Sequence, residues 1–165
     1  MKNYQHFYDC ITAPFRQSKV AIKTIQLSNQ IIVMIMYVGY IFMLIAAGMS
    51  SLYELGKFIL IPAGGFIFLS ILRQLLNAPR PYERYDISPL ISRKKTGDSF
   101  PSRHMYSATV IAMCGLLLNS YLGIFLLFLA IALGVLRVIG GVHFPRDVIA
   151  GFIWGMVCGM LLFII

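Results

Sequence analysis

Apolar residues fall along this chain in long, almost uncharged blocks separated by a few polar stretches. Between Leu27 and Leu55 the only charge is Glu54, and a first membrane-spanning helix is expected over 31–47, with Gly48-Met49-Ser50-Ser51 as its exit. Phe58–Leu72 is a second run, bounded by Lys57 and Arg73. It is short for a bilayer core of about 30 Å, so its ends are expected to extend past the charges, with Lys57 snorkelling. Pro62, Gly64 and Gly65 inside it predict a thin or kinked segment that allows close helix contact. Met105–Leu136 carries no charge and is too long for one ordinary span. The break at 118–123, Leu-Asn-Ser-Tyr-Leu-Gly, divides it into a tight hairpin of two helices. Val148–Ile165 forms the last span. The expected fold class is therefore all-α, a polytopic membrane bundle of about five transmembrane helices, because lipid does not tolerate an open sheet edge.

The polar stretches differ from one another. Residues 1–27 mix Lys2, Arg16, Lys19 and Lys23 with Phe7, Ile11, Phe15, Val20 and Ile22, and Pro14 is expected to interrupt any helix there. This reads as an amphipathic segment lying at the membrane surface, set apart from a membrane domain over 28–165. Residues 77–103 are the longest polar connection and hold four prolines. Loops of such length without structure of their own are functional or disordered. Residues 137–147 form a short polar turn.

Composition narrows the class. The chain is 59% hydrophobic and 12% charged, with a mean hydropathy of +0.80. A soluble domain carries roughly twice that charge, so the net charge of +8 is no sign of nucleic-acid binding. Cys10, Cys114 and Cys158 make no disulfide framework, and no Cys/His spacing suits zinc. No metal and no cofactor are expected. His6, Arg93, Lys94, Lys95 and Arg146 read as surface residues and interfacial anchors.

With five spans, the end of the second, the start of the third, the end of the fourth and the start of the fifth share one side. That side collects Arg73, Arg80, Ser102, Arg103, His104, Arg137, His143 and Asp147. Ionisable groups beside spans are expensive and are usually functional. Ser102 is a good N-cap for the helix that follows, with Pro101 just outside it. The free N–H groups of the helix start form an anion site, and His104 sits in that first turn. Pro145 suits another helix start. His143 and Asp147 are four residues apart, so one helical turn puts both on one side. The carboxylate can then hold the imidazole N–H and leave the other nitrogen as a nucleophile. Arg73, Arg80 and Arg137 offer planar donors for phosphoryl oxygens.

Three segments resemble the three-part signature of the type 2 phosphatidic acid phosphatase (PAP2) superfamily, which includes bacterial acid phosphatases and vanadium haloperoxidases. The first motif, Lys, six residues, Arg-Pro, is matched by Arg73 to Arg80-Pro81. The second, Pro-Ser-Gly-His, is matched by Pro101-Ser102-Arg103-His104. The third, Ser-Arg, five residues, His, three residues, Asp, is matched by Leu136-Arg137, His143 and Asp147. The resemblance covers about residues 55–165. Three positions depart from it: Arg73 stands for lysine, Arg103 for glycine and Leu136 for serine.

The resemblance implies a helical core like that of the haloperoxidases and a metal-independent phosphatase. His143 would attack phosphorus, Asp147 would orient it, and His104 would protonate the leaving oxygen and then activate water. Arg73, Arg80, Ser102, Arg103 and Arg137 would bind the phosphoryl group, helped by backbone N–H groups of 102–104. The membrane setting points to a lipid phosphate: a polyprenyl diphosphate, phosphatidic acid or phosphatidylglycerol phosphate. Size and span number resemble bacterial undecaprenyl-diphosphatase-type members. The alternatives are a non-catalytic membrane protein that binds lipid phosphates and, behind it, a vanadium-dependent haloperoxidase. For sidedness two expectations oppose each other. The family implies a site at the extracytoplasmic face of the cell membrane. Of the 14 Lys and Arg residues, however, only Lys57 lies on the far side of the five spans, and the positive-inside rule puts the crowded side in the cytoplasm.

Overall fold

The computed structural model describes residues 2–91 and 96–165. Arg93, Lys94 and Lys95 lie outside the described residues. Among the described residues six long helices and one short one follow each other: α1 (Lys2–Arg16), α2 (Lys19–Ser50), α3 (Leu52–Leu76), α4 (Pro81–Arg84), α5 (Arg103–Leu118), α6 (Ser120–Ile139) and α7 (Pro145–Ile164). Among the described residues, α2, α3, α6 and α7 are each long and apolar enough to cross a membrane. The fifth helix of the bundle, α5, has 16 residues, about 24 Å of rise. Its brevity costs nothing in lipid because it is the central helix. Met105, Tyr106 and every residue from Ala108 to Gly115 are buried by the surrounding helices. The protein is a multi-pass, all-α membrane bundle.

Helix ends are set by side-chain caps where the sequence has hydroxyl or amide residues. Ser18, Ser51, Ser102 and Asn119 each accept a backbone N–H three residues on, opening α2, α3, α5 and α6. The α5–α6 hairpin turns at Asn119, inside the break expected at 118–123. There Gly123 comes so close to Leu116 that a Cβ would sit 2.4 Å from its backbone nitrogen.

Lipid supplies no hydrophobic force between helices, so close approach through small residues matters more. Helix α7 carries Gly151, Gly155 and Gly159 at four-residue spacing. A Cβ at these positions would meet Ser102 O at 2.5 Å, Thr109 Cβ at 2.6 Å and Met113 Cγ at 2.4 Å. This stripe lets α7 lie directly on α5 and brings the two helix starts together. Pro62 lies inside α3 without ending it, and its carbonyl accepts the Tyr106 hydroxyl at 2.8 Å. A proline leaves the carbonyl four residues earlier without its N–H, and that carbonyl, Phe58 O, accepts the Tyr40 hydroxyl of α2 at 2.5 Å.

Two expectations for residues 1–27 change. Pro14 lies inside α1 rather than interrupting it. It falls in the last turn, where its clash with the preceding turn affects little helix, and the chain breaks four residues beyond it, at Ser18. Residues 19–27 continue without interruption into α2, whose 32 residues rise about 48 Å. That exceeds the hydrocarbon core, so charges such as Lys23 ride on a helix projecting from the membrane instead of marking its end. Helix α1 packs across the site end of the bundle. Gln5 Nε2 donates to Asp86 O at 3.0 Å, and Arg16 Nη2 donates to Ser88 O at 2.7 Å. Tyr4 stacks on Phe144 and Tyr85. His6 is exposed, as expected.

Candidate functional site

The C-terminal end of α3, the loop 97–101, the start of α5, the end of α6 and the turn into α7 converge at one end of the bundle. Arg73, Arg80, Ser102, Arg137, His143 and Asp147 are all buried there. Asp147 lies in the first turn of α7, where its Oδ2 accepts the Phe144 N–H at 3.0 Å and closes the helix start. The same oxygen accepts the Ser99 hydroxyl at 2.5 Å and lies 3.6 Å from His143 Nδ1. Ser99 Oγ is 3.5 Å from that nitrogen. Nδ1 therefore faces the carboxylate, and Nε2 is the ring nitrogen turned away from it. Burial pushes His143 down to about 4; the Asp147 carboxylate opposes this, and the charges of Arg137 and Arg80 add to it. At pH 7 the imidazole is neutral, the form a nucleophile requires.

The two arginines of the first motif do more than line the site. Arg80 spreads its fork over three carbonyls: Nε donates to Gly97 O at 3.0 Å, Nη1 to Val142 O at 3.1 Å and Nη2 to Asp98 O at 3.4 Å. It thereby ties the 97–99 loop to the residue before His143. Arg73 Nη1 donates to Ser99 O and Pro101 O, and its Nη2 to Asp98 O. Its Nε is buried without a hydrogen-bond partner among the described residues, a donor left over for an anion. A planar five-donor fork suits this spanning of several carbonyls, which an ammonium cannot copy. The loop itself needs unusual backbone, with φ of +63° at Gly97 and +50° at Asp98. Glu83 accepts the Gly97 N–H at 3.0 Å and the Arg80 N–H at 2.7 Å, closing the base of the loop.

Ser102 caps α5 through Met105 N at 3.4 Å. Its own N–H donates to Asp147 O at 2.9 Å. The expectation that backbone N–H groups from 102 to 104 all serve a phosphate is corrected for Ser102: the close α5–α7 contact at Gly151 has taken that donor. Its hydroxyl proton is still available to the site. Arg137, wholly buried, donates from Nη1 to Asn29 Oδ1 at 3.3 Å, so α2 contributes a polar residue to this end.

Arg103 and His104 occupy the first turn of α5 and are half-buried. Arg103 lies over the Phe66 ring at 5.9 Å, so this bulky substitute for glycine is directed at α3. His104 lines an apolar crevice with Val33, Met36, Tyr37, Ser107, Ile111 and Leu133. Arg146, expected as an anchor, is exposed; its guanidinium stacks on Phe144, and its Nε lies 3.5 Å from Asp147 Oδ1.

The spacing of motifs did not single out Ser99 or Asn29. Ser99 sits in an irregular loop without periodicity. Asn29 stands among Gln26, Ser28 and Gln30 at the polar end of α2, and nothing in the sequence set it apart from them.

Residues 54–165 match the PAP2 superfamily. No curated protein matches the sequence. The crystal structure of Aquifex aeolicus LpxE is similar, with a TM-score of 0.75 and 22% identity over 98% of this chain and 94% of that one. A transmembrane PAP2-type phosphatidylglycerolphosphate phosphatase from Bacillus subtilis superposes with a TM-score of 0.64 and 18% identity, over 94% of this chain and 90% of that one. These likenesses concern the fold, whereas the match over two thirds of the sequence concerns descent: the chain belongs to the PAP2 superfamily.

Proposed function

We propose that the protein is a metal-independent membrane phosphatase that removes a phosphoryl group from a lipid phosphomonoester or diphosphate through a phosphohistidine. The observation that carries this reading is the buried, neutral His143, with Nδ1 toward Asp147 and the Arg80 and Arg137 charges acting on it. A neutral imidazole beside fixed cations is poor at binding a proton and well placed to meet a phosphate dianion. In the reaction His143 Nε2 would form a bond to phosphorus as the bond to the leaving oxygen breaks, and His104 would give that oxygen its proton. Asp147 would offset the charge appearing on the imidazole. In the second half His104 would take a proton from water, which displaces Nε2 and releases phosphate. The guanidinium groups of Arg73, Arg80 and Arg137 would balance the transition-state charge. Arg73 Nε and the Ser102 hydroxyl are direct donors for the phosphoryl oxygens, and Arg103 adds charge beside them.

A lipid leaving group fits the surroundings of His104. The crevice it lines is apolar and narrow, only about 10 Å³, and lies among membrane helices, so the carbon chain of the departing alcohol or phosphate would lie outside it, in the surrounding hydrocarbon. Phosphatidic acid, phosphatidylglycerol phosphate and polyprenyl diphosphates share this chemistry. We place the site at the extracytoplasmic face. This follows the family resemblance and not the charge: with the buried Arg73, Arg80 and Arg137 set aside, Lys and Arg still crowd the site side. The test is phosphate release from short-chain phosphatidic acid by purified protein in detergent with a chelator present. Release that disappears in His143→Ala supports the proposal. Saturable binding of the lipid with no release would make the protein a lipid-phosphate binder instead.

A further inference from the structure

The distances around His143 do not describe a direct histidine–carboxylate pair. Nδ1 lies 3.6 Å from Asp147 Oδ2, beyond the usual range for a hydrogen bond to nitrogen. The Ser99 oxygen completes a triangle with them, 2.5 Å from the carboxylate oxygen and 3.5 Å from Nδ1, so the ring nitrogen stands about equally far from the two oxygens. Ser99 is wholly buried, and its backbone is fixed on both sides. Its N–H donates to Ala78 O at 2.9 Å, and its carbonyl accepts Arg73 Nη1 at 3.4 Å. The Asp147 carboxylate is also held, by the Phe144 N–H. A hydroxyl can accept one hydrogen bond while donating another, and both neighbours suit that use. The carboxylate accepts the hydroxyl proton, and a lone pair of the hydroxyl oxygen remains to share the Nδ1–H with the carboxylate.

We propose that Ser99 is a positioning residue that couples Asp147 to His143, its hydroxyl and the carboxylate together holding the Nδ1–H in a His143–Ser99–Asp147 relay. This rests on the reading of His143 as nucleophile. Ser99 touches neither phosphorus nor the leaving group. It fixes the tautomer with the proton on Nδ1, so that the Nε2 lone pair is free to attack. No proton has to leave the ring when the Nε2–phosphorus bond forms. The new positive charge is shared by the hydroxyl and the carboxylate. An Arg73 fork that holds Ser99 O gives the first motif a second duty, because it sets where this hydroxyl stands.

The experiment uses the full-length protein in detergent micelles, with Ser99→Ala, Asp147→Asn, the double variant and His143→Ala. Vanadate binding reports that the site is still formed. Ser99→Ala should lower kcat by about 10- to 100-fold with KM nearly unchanged, the scale of losing a partner that orients a reactive imidazole. In the Asp147→Asn background the same substitution should cost almost nothing, because the relay is already broken. Nitrogen-15 spectra of His143 at neutral pH should show the Nδ1–H tautomer in the wild type and a mixture in Ser99→Ala, a change that lost packing alone does not produce. Independent, multiplying losses together with an unchanged tautomer would overturn the relay. A vanadate-binding Ser99→Ala with wild-type kcat would overturn it too. Wild-type turnover by His143→Ala would instead sink the nucleophile assignment on which the relay depends.

Discussion

Replacing Arg80 by lysine keeps the charge and removes the fork, so it isolates what the planar geometry contributes. The guanidinium satisfies Gly97 O, Asp98 O and Val142 O from one buried position. A single ammonium at the end of a flexible stem reaches one or two of these carbonyls, which leaves at least one buried oxygen without its charged donor. A hydrogen bond to a charged group contributes about 1.5–3 kcal/mol, so the variant should lose about 2–4 kcal/mol of stability. The Val142 contact is the one that bears on chemistry, since it fixes the residue beside His143. If about 2 kcal/mol of that alignment is lost in the transition state, kcat/KM falls about 30-fold. Thermal unfolding in detergent and turnover of a short-chain lipid phosphate measure the two effects. A protein that melts as the wild type does and turns over within about twofold of it would show that Arg80 acts as a charge only and that the carbonyl bridge is incidental.

Further tests address separate parts of the site. Asp147→Asn should lower kcat by about a thousandfold or more, because the amide cannot balance the imidazolium and sets the wrong tautomer, whereas phosphate binding persists; unchanged kcat would refute the orienting role. For pH, His143 has a folded value of about 4 against about 6.5 in the unfolded chain. The unfolded chain therefore binds the extra proton first, and stability from this residue is full above pH 6.5 and declines as pH falls toward 4, by about 3 kcal/mol at most. His143→Gln should flatten that part of the stability curve, and an unaltered curve would contradict the assignment. Vanadate should inhibit competitively and chelators should not, which steady-state kinetics would show. Cys10 is exposed on α1 at the site end, while Cys114 and Cys158 are buried. An impermeant maleimide should therefore label Cys10 from outside intact cells, and labelling only after lysis would place the site in the cytoplasm.

The sequence was most informative where chemistry imposes spacing. The four-residue interval of His143 and Asp147 and the motifs around Arg73, Arg80 and Ser102 lead to residues that the fold does bury together. The long apolar blocks likewise marked the helices. The second span does extend past its flanking charges, with Lys57 inside α3 and paired with Glu54 at 3.0 Å. The start of the first was less legible: α2 begins at Lys19, well before the apolar block, because a helix that projects from the lipid keeps no apolar pattern there. Contacts made through backbone atoms left no pattern to read. The carbonyls held by Arg80 and the Ser102 N–H given to Asp147 depend on how loops and helix starts meet, and any residue type can supply those atoms. Ser99 belongs with them. Its importance comes from a loop fixed at both ends, which composition and periodicity do not encode.

The central claim is that His143 carries the phosphoryl group between the two halves of the reaction, and a trapped intermediate tests it most directly. His104→Ala should remain able to transfer phosphorus from an aryl phosphate, whose phenolate leaves without a proton. It should then be slow to activate the water that frees His143. Quenching this variant with labelled aryl phosphate should give a phosphoprotein stable in alkali and labile in acid, with the label on His143. Rapid turnover of the aryl substrate without any labelled protein, or label on a different residue, would contradict the account.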